Sequence, residues 1–326
     1  MLEMLNPLPM DVLRFAAQTY KFRSAVLKTH KNNPSQAYRM VVEQFCTPPE
    51  AARRSPDLGR LRADGKRFFG WSSSQWAAVE PQLTVLTKSV ETFSIRFRDA
   101  DVQCYRWNKS DSAKRALPRP RMLLCHGWEG YALNFAAIIS EAIAAGWEVV
   151  TFDHLAHGNS GGTLSGLPIA LETLLEVSKH VGTVDVVVGH SLGAAAALWA
   201  VANNRIKAKR LVLLAPFYDT FQLTQLWSKA HLLPDEICTG FQQELERVSG
   251  MTIAEFLPAA VAPLLTVPTL IIHDVKDPIT GFKHSRNMAK LSSHVTLESA
   301  EKLGHVRVLA DEVCVMRVMD FVAVIA

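Results

Sequence analysis

The sequence predicts an α/β protein built on a doubly wound, mostly parallel sheet, preceded by a mostly helical extension. Three observations carry that expectation. From about Phe93 onward, short apolar runs alternate with longer helical patterns. Most of those runs are continuously apolar rather than alternating, as strands covered on both faces are. And residues 1–90 hold no strand-like run before Leu83 to Val85.

Taken in order, Phe93, Ile95 and Phe97 alternate with polar neighbours. After Arg98-Asp99-Ala100-Asp101 comes Val102 to Trp107, so an antiparallel hairpin is expected at the start of the sheet. Buried strands are then expected at Arg121 to Cys125, Glu148 to Phe152, Val184 to Val188, Arg210 to Leu214, Thr269 to His273 and Val295 to Leu297. Helical segments fall between them, at Asn134 to Ala145, Ala170 to His180, Gly193 to Ala202 and Ser285 to Leu291. A last helix from Val306 to about Phe321 would place Leu309, Val313 and Met316 on one side. In the extension, Asn33-Pro34 opens a stretch where Ala37, Met40, Val41 and Phe45 recur at helical spacing, and Thr47-Pro48-Pro49 ends it. The division expected is a helical extension over 1–90 and a catalytic domain over 91–326. Within that domain 217–265 is too long for a plain loop and reads as a small helical cap.

Composition narrows the function classes. The 326 residues are 48% hydrophobic and 20% charged, with a net charge of only +4. Arg53-Arg54 and Arg119 to Arg121 are short basic clusters of a solvated surface, so no nucleic-acid partner is expected. The five cysteines, Cys46, Cys104, Cys125, Cys238 and Cys314, show no CxxC spacing and read as small buried apolar residues in a reducing cytoplasm. Met1 to Met10 lacks the pattern of a secretory leader, and no apolar run is long enough to span a bilayer. Phe15 to Lys31, basic and apolar together, reads as a helix packed on the body, so stable membrane association is not expected.

The chemistry is concentrated in Val184 to Gly193, VDVVVGHSLG. A buried strand runs into Gly189-His190-Ser191-Leu192-Gly193 and directly on into an Ala-rich helix, the setting in which G-x-S-x-G forms a nucleophile elbow. Ser191 must then occupy a strained turn, with glycines two residues either side because a Cβ would clash where the chain doubles back. A hydroxyl needs a base, and a carboxylate and a histidine should follow in the order serine, acid, histidine. His305, in Leu303-Gly304-His305, lies in the loop before the last helix and is the expected base. Three acids stand at strand exits: Asp219, Asp274 and Asp277. Asp277 is preferred because Pro278 favours an extended backbone there, and Asp274 comes second.

These residues, in this order, make the sequence resemble the α/β-hydrolase superfamily over roughly 90–326, and within it bacterial hydrolases with a helical N-terminal extension. Two further stretches carry the likeness. Leu124 to Gly130, LCHGWEG, resembles the family's His-Gly oxyanion loop, which implies an oxyanion hole built from the backbone N–H groups of Trp128 and Leu192. Asp153 to Gly161, DHLAHGNSG, resembles the family's Asp-x-x-x-His-Gly-x-Ser loop with Leu155 in place of the usual proline. The Asp274 to Pro278 stretch matches the family's acid loop. The resemblance implies a serine hydrolase cleaving a carboxylic ester through an acyl-enzyme, with Ser191, Asp277 and His305 as its triad, a small acyl compound as substrate and no metal or organic cofactor.

Other readings stay open at this level. A thioesterase, an amidase or a C–C hydrolase would use the same residues, and a non-catalytic binding protein could share the scaffold. Asp153, His154 and His157 are of metal-ligating type, but their motif shapes the rim of the site. His126 and His190 hold motif positions filled for loop geometry, and His273 reads as a satisfied core histidine. Trp128 either narrows the acyl pocket or turns into the packing. The aromatic content of 217–265, Trp227 included, is expected to line a lid over an acyl pocket.

Overall fold

The computed structural model describes residues 10–53, 80, 83–109 and 118–324. Met1 to Pro9, Arg54 and most of the second half of the expected extension lie outside the described residues. The strands are β1 (Glu91–Phe97), β2 (Ala100–Trp107), β3 (Arg121–Cys125), β4 (Glu148–Phe152), β5 (Val186–His190), β6 (Arg210–Leu214), β7 (Thr269–Asp274) and β8 (Val295–Ala300). The longer helices are α1 (Met10–Asn32), α2 (Pro34–Phe45), α3 (Ala136–Ala144), α4 (Leu167–Val181), α5 (Leu192–Ala202), α6 (Thr220–Ala230), α7 (Asp235–Ser249), α8 (Phe282–Leu291) and α9 (Glu312–Ala323).

All eight strands join one sheet in the order β1-β2-β4-β3-β5-β6-β7-β8. The hairpin expected from the alternation is present: β1 and β2 pair antiparallel, and β2 pairs antiparallel with β4. From β4 to β8 every pairing is parallel. Continuous apolar runs end up where both faces are covered, and all residues of β4, β5 and β7 are buried. The strand order reverses at β3, so the exits of β3 and β5 are neighbours (Cys125 opposite Gly189). In open α/β sheets that crevice is where ligands sit.

The chain divides into two compact units. One comprises residues 1–46 with 219–254, the other 47–218 with 255–326. The first is held by aromatic packing among its own helices. Phe22 of α1, Phe45 of α2 and Phe241 of α7 surround Trp227 of α6 at ring separations of 6.1, 5.6 and 5.9 Å, and His231 stacks on the same indole at 3.8 Å. Asn33 caps α2 by accepting from the Gln36 N–H at 3.1 Å, with Pro34 in the first turn, as the sequence predicts. The segment after Thr47-Pro48-Pro49 belongs to the second unit: Ala52 O accepts from the Gly158 N–H at 2.8 Å, and Arg53 Nη2 donates to Thr163 O. The stretch 217–265 is therefore not a single piece. Its α6 and α7 sit with α1 and α2, while Phe256 packs on Trp199 of α5 in the sheet unit.

Two local expectations are corrected. Leu83 to Val85 is helical, within residues 83–89; Leu83 and Leu86 are buried three apart while Val85 faces out, a helical period. The last helix starts at Glu312, not Val306, because Asp311 caps it by accepting from the Cys314 N–H. That start sets its buried face at Cys314, Val315, Val318 and Val322. Val313 and Met316 are 65% and 57% exposed, and Leu309 belongs to the preceding 3-10 turn. Trp227 of α6 packs within its own helical unit against Phe22, Phe45 and Phe241.

The crossing of α2 and α7 is the tightest point of the helical unit. A Cβ added at Gly240 would lie 2.1 Å from the Tyr38 ring. Gly240→Ala is expected to cost about 1–3 kcal/mol by overpacking, against the roughly 1 kcal/mol gain that alanine gives in an unobstructed helix. Urea unfolding of Gly240→Ala in the wild-type and Tyr38→Ala backgrounds checks this. The substitution should destabilise the first and not the second.

Candidate active site

Ser191 stands between β5 and α5 with φ 52° and ψ −117°, a region costing a non-glycine residue on the order of 1–3 kcal/mol. Its N–H donates to Leu214 O of β6 at 3.0 Å, and its carbonyl accepts from the Ala195 N–H in the first turn of α5 and from the Phe217 N–H. The flanking glycines are sterically obligatory, as the motif predicts. A Cβ at Gly189 would lie 2.5 Å from Ala194 Cα, and one at Gly193 would lie 2.2 Å from Cys125 O. The Ala-rich α5 is buried except at Trp199, and its positive N-terminal end faces the serine.

The three sequence-predicted residues meet in the second unit. His305 Nε2 lies 2.9 Å from Ser191 Oγ and His305 Nδ1 lies 2.7 Å from Asp277 Oδ2. An ionised carboxylate only accepts, so Nδ1 carries the proton and Nε2 is left to accept from the serine hydroxyl. Asp277 is fully satisfied: Oδ1 accepts from the N–H groups of Ile279 (2.7 Å) and Thr280 (3.0 Å), and Oδ2 also accepts from Thr280 Oγ1 at 2.9 Å. Burial pushes this carboxyl up, but the hydrogen bonds from His273 and His305, the imidazole charge and the Ile279 N–H outweigh it. The group is held far below the usual carboxylate range.

The other two acids are spent elsewhere. Asp219 caps α6, its carboxylate accepting from the Gln222 N–H at 2.7 Å. Asp274 is completely buried and accepts from the N–H groups of Lys276 (2.7 Å), Leu303 (2.6 Å) and Gly304 (2.9 Å). Burial raises the Asp274 carboxyl, yet these three N–H groups hold it below its ordinary value. Asp274 thus fixes the turn that presents His305, where Gly304 takes φ +64°. His190 holds the same loop from the other side by donating from Nε2 to His305 O at 2.9 Å. Sequence reasoning ranked Asp274 as a spare acid and missed Thr280 altogether, because neither contact follows from chain order.

The histidines around the site are scaffold. His126 donates from Nδ1 to Gly127 O at 2.7 Å and accepts at Nε2 from the His154 N–H. His154 donates from Nε2 to His126 O, and His157 accepts from the Glu129 N–H at 3.1 Å. Burial, then the neighbouring imidazoles, hold His126 well below its ordinary value and bring His154 to about 3; His190 is brought to about 3 by burial and by His305. Asp153 binds the Ala132 and Asn159 N–H groups and the Tyr105 hydroxyl, so the rim loop hangs on it. Among the described residues no cluster of three metal-ligating side chains is present. A Cβ at Gly127 would lie 2.8 Å from Ser191 Cβ, so the loop leading to Trp128 runs against Ser191. The Trp128 ring packs edge-on against His157 at 5.4 Å, the second of the two orientations left open by the sequence.

Residues 120–257 match the family model described as the α/β-hydrolase fold. The fold is that of the α/β-hydrolases. The esterase Pf2001 of Pyrococcus furiosus is similar in structure at TM-score 0.57 and 18% identity, covering 85% of this chain and 96% of that one. Est1E of Butyrivibrio proteoclasticus is similar at TM-score 0.54 and 17% identity, over 71% and 97%. The thioesterase domain from the curacin biosynthetic pathway is similar at TM-score 0.52 and 14% identity, over 72% and 99%. In sequence, a proline iminopeptidase of Clostridioides difficile (strain 630) is 26% identical over 113 residues, 33% of this chain and 38% of that protein. The α/β-hydrolase reading of β3 to β8 thus has both the motif order and the fold behind it. No described helix is long and apolar enough to cross a membrane.

Three outcomes follow from this geometry. His154 and His190 are neutral when folded down to about pH 3 but protonate near pH 6.5 when unfolded. Between those values the unfolded chain binds more protons, so stability is full above pH 6.5 and falls as pH drops toward 3, by roughly 1.4 kcal/mol per pH unit for each group. Urea unfolding at a series of pH values checks the slope. Asp274→Asn, which removes a buried acceptor for the His305 loop, should lower the melting temperature and the activity together. Asp277→Asn should lower activity with the fold nearly unchanged.

Proposed function

We propose that this α/β-hydrolase cleaves carboxylic esters of small molecules through an acyl-enzyme. The observation that carries the reading is the single imidazole of His305 lying within hydrogen-bond distance of both Ser191 Oγ (2.9 Å) and Asp277 Oδ2 (2.7 Å), with the serine on a strained strand-to-helix turn. His305 Nε2 takes the hydroxyl proton as Ser191 Oγ attacks the carbonyl carbon, and Asp277 holds the Nδ1–H tautomer and stabilises the imidazolium. The oxyanion is assigned to the backbone N–H groups of Trp128 and Leu192, aided by the N-terminal end of α5. The proton on Nε2 goes to the leaving alcohol, and a water then repeats the sequence on the acyl-enzyme. The steps call for no cofactor. Five unpaired, buried cysteines favour a reducing compartment, which we take to be the cytoplasm.

An amide bond is the second reading, favoured by the sequence similarity to a proline iminopeptidase. Rates on p-nitrophenyl esters of increasing acyl length, acyl-CoA thioesters and prolyl p-nitroanilide separate the two. Ester turnover well above anilide turnover is expected, lost in Ser191→Ala and reduced by about four orders of magnitude in kcat in Asp277→Asn. A fluorophosphonate probe should leave one adduct, on the peptide containing Gly189 to Gly193. Anilide turnover exceeding ester turnover would move the assignment to a peptidase, and an adduct persisting in Ser191→Ala would remove it.

A further inference from the structure

The Asp277 carboxylate has a second imidazole beside it, for which acyl transfer itself has no use. His273, on β7, is completely buried. Its Nε2 lies 3.3 Å from Asp277 Oδ2 and 3.2 Å from both the carbonyl and the hydroxyl oxygen of Thr280. Its Nδ1 lies 2.7 Å from Ser285 Oγ on α8, and Ser285 Oγ is 3.5 Å from the Tyr218 hydroxyl.

The chemistry of the partners decides where the protons sit. Thr280 O and Asp277 Oδ2 only accept, so His273 carries its proton on Nε2. Nδ1 is then an acceptor, and Ser285 is the hydroxyl that donates to it. The His305 N–H from the β8 exit loop points at Oδ2, and the His273 N–H from β7, shared with Thr280 O at 3.2 Å, lies 3.3 Å from the same oxygen. The supports differ in stiffness. Asp277 and His305 stand on loops, whereas β7 is an interior strand paired on both sides with β6 and β8.

Other polar and charged groups face His273 from each neighbouring element. Asp274 follows it on β7, Asp277 and Thr280 come from the acid loop, and Ser285 comes from α8, whose Phe282 ring lies 5.7 Å from the imidazole. Tyr218 approaches from the β6 exit, and His190 of β5 and His305 lie around the same carboxylate.

We propose that His273 is a positioning residue for the triad: its Nε2–H holds Asp277 Oδ2 in line with His305, and Ser285 holds His273 in the tautomer able to do so. The inference rests on the triad reading above. It has two consequences, one geometric and one electrostatic. Without His273 the carboxylate is free to turn about its own side chain, and a misaligned base slows proton transfer without weakening substrate binding. Without the second donor, more of the charge on Oδ2 falls on His305, which favours the imidazolium and moves its protonation to higher pH.

The test is ester hydrolysis as a function of pH in wild type, His273→Leu, His273→Gln and Ser285→Ala, with Ser191→Ala as control. His273→Leu should lose roughly 10- to 100-fold in kcat with KM nearly constant. The acid limb of its kcat/KM profile should move up by about half a pH unit. His273→Gln, which carries an N–H at similar reach, should recover much of both, and Ser285→Ala should move both in the same direction by less. A folded His273→Leu with wild-type kcat and acid limb overturns the proposal. So does one that loses kcat with an unmoved limb and no recovery in His273→Gln. If His273→Leu does not fold, Ser285→Ala decides, and wild-type kcat and limb there overturn it. Turnover persisting in Ser191→Ala would remove the functional reading instead. The positioning claim is then read from the His305 Nδ1–H proton resonance, which His273→Leu should displace and which needs no turnover; an undisplaced resonance overturns it.

Discussion

Everything in the sheet unit is arranged around the reversal at Ser191, where a strand stops and a helix starts within one residue. The turn puts a serine at positive φ and brings α5 so close to β3 that Gly193 sits almost on the carbonyls of Cys125 and His126. Such strain persists only where the surroundings over-determine it. Here the surroundings are strands buried on both faces, the Leu214 carbonyl receiving the Ser191 N–H, and an alanine-rich helix, buried except at Trp199, that can approach without side chains in the way. The same closeness sets the loop after β3 against Ser191.

Around Ser191 the electrostatics follow a pattern: buried carboxylates collect several donors, and three buried imidazoles are kept neutral. Asp153, Asp274 and Asp277 each collect several N–H or O–H groups, which makes a buried negative charge tolerable. His126, His154 and His190 are held neutral by burial and act as hydrogen-bonding struts between loops. The loop after β4 therefore hangs on Asp153, and the position of His305 is over-determined. Asp274 holds its turn, His190 its carbonyl and Asp277 its ring.

The helical unit obeys different physics. Its α1, α2, α6 and α7 come from two distant parts of the chain and have no sheet to pack on within the unit. They are joined instead by an aromatic cluster at Trp227 and by the seating of Tyr38 over Gly240. A helix with one apolar stripe is marginal alone, and pairing two such segments buries both stripes.

Much of this was legible in the sequence, for reasons that are local. A continuous apolar run says that a strand is covered on both faces, whatever covers it. Gly189-His190-Ser191-Leu192-Gly193 between a strand and a helix specifies the elbow because its steric demands lie within five residues. Asn33-Pro34 specifies a helix start in the same way. What stayed hidden depends on which distant groups meet. Chain order alone could not separate Asp277 from Asp274 and Asp219: one meets an imidazole 28 residues on, one binds the turn before it and one caps a helix. Nor could it show that Trp227 faces Phe22 and Phe45, that His273 lies beside Asp277, or that Asp311 caps α9 and so turns Met316 outward. Sequence determines backbone habit and which residue types are at hand, because those are properties of a few neighbouring residues. Hydrogen-bond partners and packing faces are chosen by close approach across the sheet and between helices, and only the tertiary structure decides them.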